Sequence, residues 1–274
     1  MSEHADRTSS VDADAAGTGL SLQPAGFAGN AAPAARRVRA QIGWDVRTLL
    51  GNGEQLLLSL VLPVLALVAL TLTRSITVPV PDGLNRVDVV TPGVMALAII
   101  STSFTGQAIT TAFDRRRAVL RLLSTTPLGS SGLLLGRIGA VLLIQVLQLI
   151  LLGGVAMFLG WSPTWGSAWL GLLTVALGTA CFTGLGMLLG GTTKAEIVLA
   201  LANLAWVLFA AFGVLLPPGD GLDRLALWLP SGALADLMRA GLAGTGHPVR
   251  SSLVLLGWSV AVVGAAVRLF RWDE

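Results

Sequence analysis

Charge, cysteine and histidine are scarce in this chain, and each scarcity removes a class of function. Only 12% of the 274 residues are charged against 54% hydrophobic, with a mean hydropathy of +0.77, which excludes an ordinary soluble globule. The single cysteine, Cys181, lies inside an apolar block, so neither a disulfide framework nor a multi-cysteine metal site is available. The two histidines, His4 and His247, both fall outside the apolar blocks, where an intramembrane Ser/His protease could not use them. Basic residues are dispersed between apolar blocks, so the net charge of +3 and the pI near 10.3 do not indicate nucleic-acid binding. A phosphate loop is missing too. The nearest look-alike, Gly190-Gly-Thr-Thr-Lys-Ala195, has Thr before the lysine and Ala after it, and follows an apolar block instead of a strand. Any ATP that drives this protein must be bound by another chain. The sequence offers no catalytic set, no cofactor site and no metal site.

What is there is a series of apolar blocks of about 18 to 25 residues, the length that carries a helix across roughly 30 Å of hydrocarbon. The expectation is an all-α polytopic membrane protein with six transmembrane helices, at Gln55 to Leu72, Val90 to Thr111, Gly139 to Leu159, Ala168 to Leu189, Ile197 to Leu216 and Ser252 to Leu269. The second block is the most polar, with Ser101, Thr102, Ser103, Thr105 and Gln107. Residues 1–33 read as a disordered tail, 34–53 as an amphipathic interfacial helix and 54–274 as the transmembrane domain. With both termini inside, 13 of the 18 basic residues lie on the inner side, leaving Arg74, Arg86, Arg224, Arg239 and Arg250 outside. That asymmetry predicts cytoplasmic termini in a multi-pass protein of the cell membrane. Trp161, Trp165 and Trp228 then fall at outer boundaries and Trp272 at the inner one, where amphipathic rings favour the headgroup zone.

Between Ala34 and Leu50, helical spacing gathers Val38, Ile42, Val46, Leu49 and Leu50 on one face, with Arg36, Arg37, Arg39 and Arg47 elsewhere. Such a helix lies in a membrane surface, as a topogenic anchor or as a moving part. After the second block comes a short helical pattern, Phe113 to Gly129. Asp114 favours its N-terminal dipole, Val119, Leu120, Leu122 and Leu123 supply an apolar side, and Pro127 and Gly129 stop it. From composition alone this loop either docks a soluble partner or only enforces topology.

The order of these parts resembles the permease subunits of the ABC transporter type 2 exporter family. The resemblance covers roughly residues 34 to 272. It rests on the amphipathic helix, the six blocks, and a loop in which Asp114-Arg115, Ala118, Leu120, Leu123 and Thr126-Pro127 match the family pattern, Ala118 standing where glycine is most common. It implies an ATPase-coupling loop carried by Asp114, Arg115, Arg116, Arg117, Leu120, Leu123 and Pro127. It also implies two copies of an ABC ATPase holding ATP and Mg, and a second permease chain that is either identical or different. The apolar bundle suits a small amphipathic drug, antibiotic or lipid-like molecule moved outward by alternating access, while other permeases of the family move polysaccharides with a similar composition. Trp228 to Leu242 is similar to the family's Pro-started outer helices that dip into the outer leaflet; the alternative is an ordinary outer loop with one amphipathic helix.

Four polar positions inside blocks remain: Gln107, Gln145, Gln148 and Asn203. They either line a substrate path or bridge helices, at about 0.6 kcal/mol per amide. Gly186-x-x-x-Gly190 permits close helix approach, within the chain or across a dimer. The competing function is a self-contained secondary transporter or channel. A proton-coupled version lacks the titratable residue that it would need near the middle of a block.

Overall fold

A computed structural model describes residues 32–51, 53–73, 78–164, 167–215 and 221–269. Residues 33–274 cluster as one compact unit, described here by itself; the tail expected over 1–33 lies almost wholly outside the described residues, as do Trp165 and Trp272. Among the described residues every regular element is helical: α1 (Ala34–Gly51), α2 (Gly53–Leu72), α3 (Arg86–Ile100), α4 (Gln107–Arg116), α5 (Val119–Ser124), α6 (Gly129–Phe158), α7 (Ala168–Thr192), α8 (Ala195–Phe209), α9 (Pro230–Leu242) and α10 (Pro248–Leu269). A wider π turn, Ser101–Gly106, joins α3 to α4 into one continuous rod, and a second, Ala210–Val214, extends α8.

Among the described residues four helices are long and apolar enough to cross a membrane: Arg86–Arg116, Gly129–Phe158, Trp169–Thr192 and Pro248–Leu269. They stand where the second, third, fourth and sixth blocks were expected. At the first and fifth stand shorter apolar helices, Ser59–Leu72 within α2 and Ala195–Phe209. The second block, the most polar, is the most enclosed, with 94% of its apolar window buried. Thr102, Ser103 and Gln107 are buried against other helices and find partners there: Thr102 and Ser103 bond to Gln148 and Gln145, and Gln107 bonds to Arg137.

Packing around that rod explains the glycines of α7. A Cβ added to Gly186 would stand 2.6 Å from the Phe104 carbonyl oxygen, and one on Gly190 would stand 2.4 Å from that of Ala108. The Gly186-x-x-x-Gly190 motif therefore serves close approach within the chain, with α7 lying directly on the π turn and α4.

The segment before the last span forms α9, which opens on Pro230 in its first turn, where a missing N–H costs nothing. Every residue from Pro230 to Gly241 is buried, with α3, α7 and α10 packed around the helix. Its 13 residues reach only about 20 Å, too short to cross a bilayer. A short buried helix fills this place.

α1 runs along the first turns of α6. A Cβ on Gly136 would meet Gln41 Cγ at 2.4 Å, and one on Gly139 would meet Ile42 Cδ1 at 2.6 Å. The face turned to the body departs from the expected stripe: Gln41 and Asp45 join Val38, Ile42, Val46 and Leu49, while Leu50 is exposed. The reason is a charged neighbour on α6, Arg137.

Candidate functional site

The ends of α4, α7 and α10 meet the starts of α6 and α8 at one arginine-rich end of the bundle; there Ser130 Oγ on α6 donates to the Val267 carbonyl on α10 at 3.2 Å. α4 presents Gln107, Thr111 and Asp114 along one face, at spacings of four and three. Arg137, two turns into α6, reaches across and donates to Gln107 Oε1 at 3.4 Å, Thr111 Oγ1 at 3.2 Å and Asp114 Oδ2 at 2.5 Å. Arg137 is buried and Asp114 largely so. A guanidinium can be withdrawn from water only with such a set of acceptors, so the ladder fixes the register of α4 against α6. Sequence reasoning counted Arg137 only as a topogenic charge; the acceptor spacing on α4 was the signal available.

Beyond Asp114 the three arginines diverge. Arg115 is buried and donates through Nη2 to the Thr193 carbonyl at 2.5 Å, at the end of α7. Arg116 pairs with Glu196 in the first turn of α8 at 2.7 Å, both side chains being exposed. Arg117 is exposed and lies over the Phe113 ring, 6.0 Å from its centroid. Two of the three therefore tie the loop to the α7–α8 corner of their own chain.

Ala118 then takes a left-handed backbone conformation, φ 59°, that turns the chain sharply into α5. The place that the family pattern gives to glycine is thus one that disfavours a Cβ. α5 is only six residues long, and the Ser124, Thr125 and Thr126 hydroxyls close its last carbonyls by donating to Arg121, Leu122 and Leu123 oxygens at 2.7, 2.7 and 2.6 Å. Its apolar residues part company. Leu120 is fully buried in a separate cluster with Leu133, Leu134, Met187 and Ala266, and Leu123 packs partly against it. Leu122 is 70% exposed beside exposed Arg121. Leu120, expected among the coupling residues, faces its own bundle, while Leu122, which sequence reasoning left out of that set, faces away. Pro127 is exposed just before α6.

The amides divide in the same way. Gln145 donates to Ser103 Oγ at 2.6 Å and the Ile99 carbonyl at 3.3 Å, and accepts from Thr179 Oγ1, linking α6 to the central rod and α7. Gln148 donates to the Ser59 carbonyl at 2.6 Å and accepts from Thr102 Oγ1 at 3.0 Å, linking α6 to α2 and the π turn. Gln107 accepts from Arg137, as above. These three sit in helix-bridging positions. Asn203 is exposed and bonds only within α8, to the Leu199 carbonyl at 2.9 Å.

The opposite end carries buried charge that sequence reasoning did not single out. Asp88 accepts from the backbone N–H groups of Asn85 at 2.8 Å and Ser162 at 2.9 Å, closing the start of α3 onto the α6–α7 connection. Asp236 on α9 accepts from Ser251 Oγ and the His247 N–H, with Arg250 Nη2 at 3.8 Å. Arg239, one turn on, donates to the Val214 carbonyl at 2.6 Å, capping the end of the α8 extension. Each charge here holds one connection to another.

The family model described as ABC-2 family transporter protein matches residues 64–268, most of the chain. No curated protein matches it.

Proposed function

This chain belongs to the ABC-2 transporter family, a membrane permease of the ABC class, and on that premise we propose that it is the transmembrane subunit of an ATP-driven exporter. Two ABC ATPase subunits hold ATP and Mg, and a second permease chain, identical or different, completes the path. Six spans cross the cell membrane with both termini cytoplasmic, a layout supported by the 13 basic residues that then fall inside. α1 lies in the inner surface.

The observation that carries the coupling part is the division of α5, with Leu120 buried and Leu122 70% exposed. On this reading ATP closes the partner subunits and pushes on Arg121 and Leu122. Leu120 passes the displacement to α6, α7 and α10 through its cluster, and Arg115 and Arg116 pass it to the α7–α8 corner. The spans then rock between inward-facing and outward-facing states. The cargo is an amphipathic drug, antibiotic or lipid-like molecule, which suits an apolar bundle of this composition.

ATP-dependent uptake of a labelled amphipathic dye into inside-out vesicles, with the ATPase co-expressed, tests the exporter reading. Uptake that needs ATP and is lost with a Walker A lysine variant of the ATPase supports it. Uptake that persists without ATP under an ion gradient moves the assignment to a self-contained secondary transporter or channel.

A further inference from the structure

Beside the coupling loop is a cavity of about 280 Å³ that none of the contacts above fills. α1, α4, the loop after it and the start of α6 wall it, with Trp44, Asp45, Phe113, Asp114, Arg117 and Arg137 among its lining groups. Its charges are not equally engaged. Arg137 gives its terminal nitrogens to Gln107, Thr111 and Asp114, so the Asp114 carboxylate is answered. Asp45 is not. Its Oδ1 accepts from Gln41 Nε2 at 3.0 Å, but its Oδ2 is withdrawn from solvent with no hydrogen-bond partner. Burial pushes the Asp45 carboxyl above its ordinary range, against the opposing pull of Arg137. A buried carboxylate oxygen without a partner favours a cation with N–H donors.

Two aromatic side chains, Trp44 and Phe113, line the same space, and Leu49, Ile109, Val119 and Leu123 add apolar surface. Aromatic side chains together with a carboxylate are the surroundings in which an ammonium group is held after losing its water. The volume is below that of an ordinary drug-sized pocket, about 300 to 1,000 Å³, so it suits a head group and the first carbons of a chain. Against an anion stand the Asp45 and Asp114 carboxylates of the lining, with Arg137 already paired and exposed Arg117 the remaining cation among the lining residues.

We propose that this cavity binds the protonated amine head of an amphipathic molecule, with Asp45 as counter-ion and Trp44 and Phe113 as its aromatic walls. The head comes from an amine-bearing lipid or from a free amphipathic amine, which share this chemistry. The proposal concerns binding and stands apart from whether, and in which direction, the molecule is carried.

The test uses the purified full chain in neutral detergent, titrated calorimetrically with octylamine, octanol and octanoate. Octylamine should bind about tenfold more tightly than either chain-matched control, and Asp45→Asn should erase that preference while octanol binding stays unchanged. Trp44→Leu, which leaves the carboxylate in place, should weaken octylamine several-fold, so the result does not hang on one variant. Equal binding of amine and alcohol, or a preference that survives Asp45→Asn, overturns the proposal. Repeating the titration in phosphatidylcholine nanodiscs with and without phosphatidylethanolamine separates the sources. Loss of octylamine binding in the discs that contain phosphatidylethanolamine identifies the lipid head as occupant, and unchanged binding there identifies the free amine.

Discussion

Leu120 and Leu122 stand two residues apart on α5 and meet opposite surroundings, the first fully buried among Leu133, Leu134, Met187 and Ala266, the second 70% exposed. Their substitutions should separate accordingly. Leu120→Ala should cost about 2 to 5 kcal/mol, because it opens a void in a packed cluster. Leu122→Ala should stay within about 0.5 kcal/mol. Thermal unfolding of the two variants in the same detergent checks the difference, and equal losses would contradict the assignment of faces.

Ala118→Gly should stabilise the chain. Its φ of 59° places a Cβ in the left-handed region, at a cost of about 1 to 2 kcal/mol that glycine avoids, set against about 0.4 to 1 kcal/mol of extra unfolded-state entropy. The net expectation is a gain of between about 0 and 1.6 kcal/mol, read as a small rise in Tm. Ala118→Val, with its branched Cβ in the same conformation, should lower Tm instead.

The Arg137 ladder should behave as a unit. Arg137→Met leaves the Asp114 carboxylate beside Gln107 and Thr111 without its cation, a loss of about 3 to 5 kcal/mol when a buried pair is broken on one side. Arg137→Met with Asp114→Leu should recover much of that loss, since no charge is then stranded. A double variant as unstable as the single one would mean that the ladder's hydrogen bonds, and not the buried charge, dominate.

Asp45 gives the stability a pH dependence of definite sign. Its folded-state pKa is raised above the ordinary 3.8 by burial, so the folded chain holds the proton over a window in which the unfolded chain has lost it. Between 3.8 and the raised value, stability therefore falls as pH increases, and the full penalty is present above the window. Asp45→Asn removes the penalty, so its Tm should exceed that of the native chain at neutral pH, with the gap closing as pH falls through the window.

How much of this could be read beforehand depends on whether the governing contact was local. Block lengths located the long spans because crossing hydrocarbon is a property of each segment alone. The polarity of Ser101 to Gln107 is ambiguous in the sequence, which does not say which helix lipid surrounds and which protein surrounds. The loop after α4 was recognisable from Asp114, the arginines and Pro127, yet the faces of a six-residue helix depend on where its neighbours lie. The left-handed turn at Ala118 rotates Leu120 inward and Leu122 outward, and nothing in the local pattern announces that. Arg115, Arg116 and Arg117 form one run in the sequence, but the partners of the first two, Thr193 and Glu196, lie about 80 residues away. The partners of Asp236 and Arg239 lie closer in sequence, 11 to 25 residues away, but only the packing of α9 brings His247, Ser251 and Val214 to them.

The most direct measurement on the central claim is co-purification of the tagged chain with the ATPase encoded nearest to it, in mild detergent, for the native loop and for Leu122→Glu. The account predicts stoichiometric capture by the native chain and its loss in the variant, with the variant's Tm unchanged because Leu122 touches no core. Capture that survives Leu122→Glu would contradict the docking face assigned to α5, and no capture by a well-folded native chain would contradict the ATP-driven reading itself.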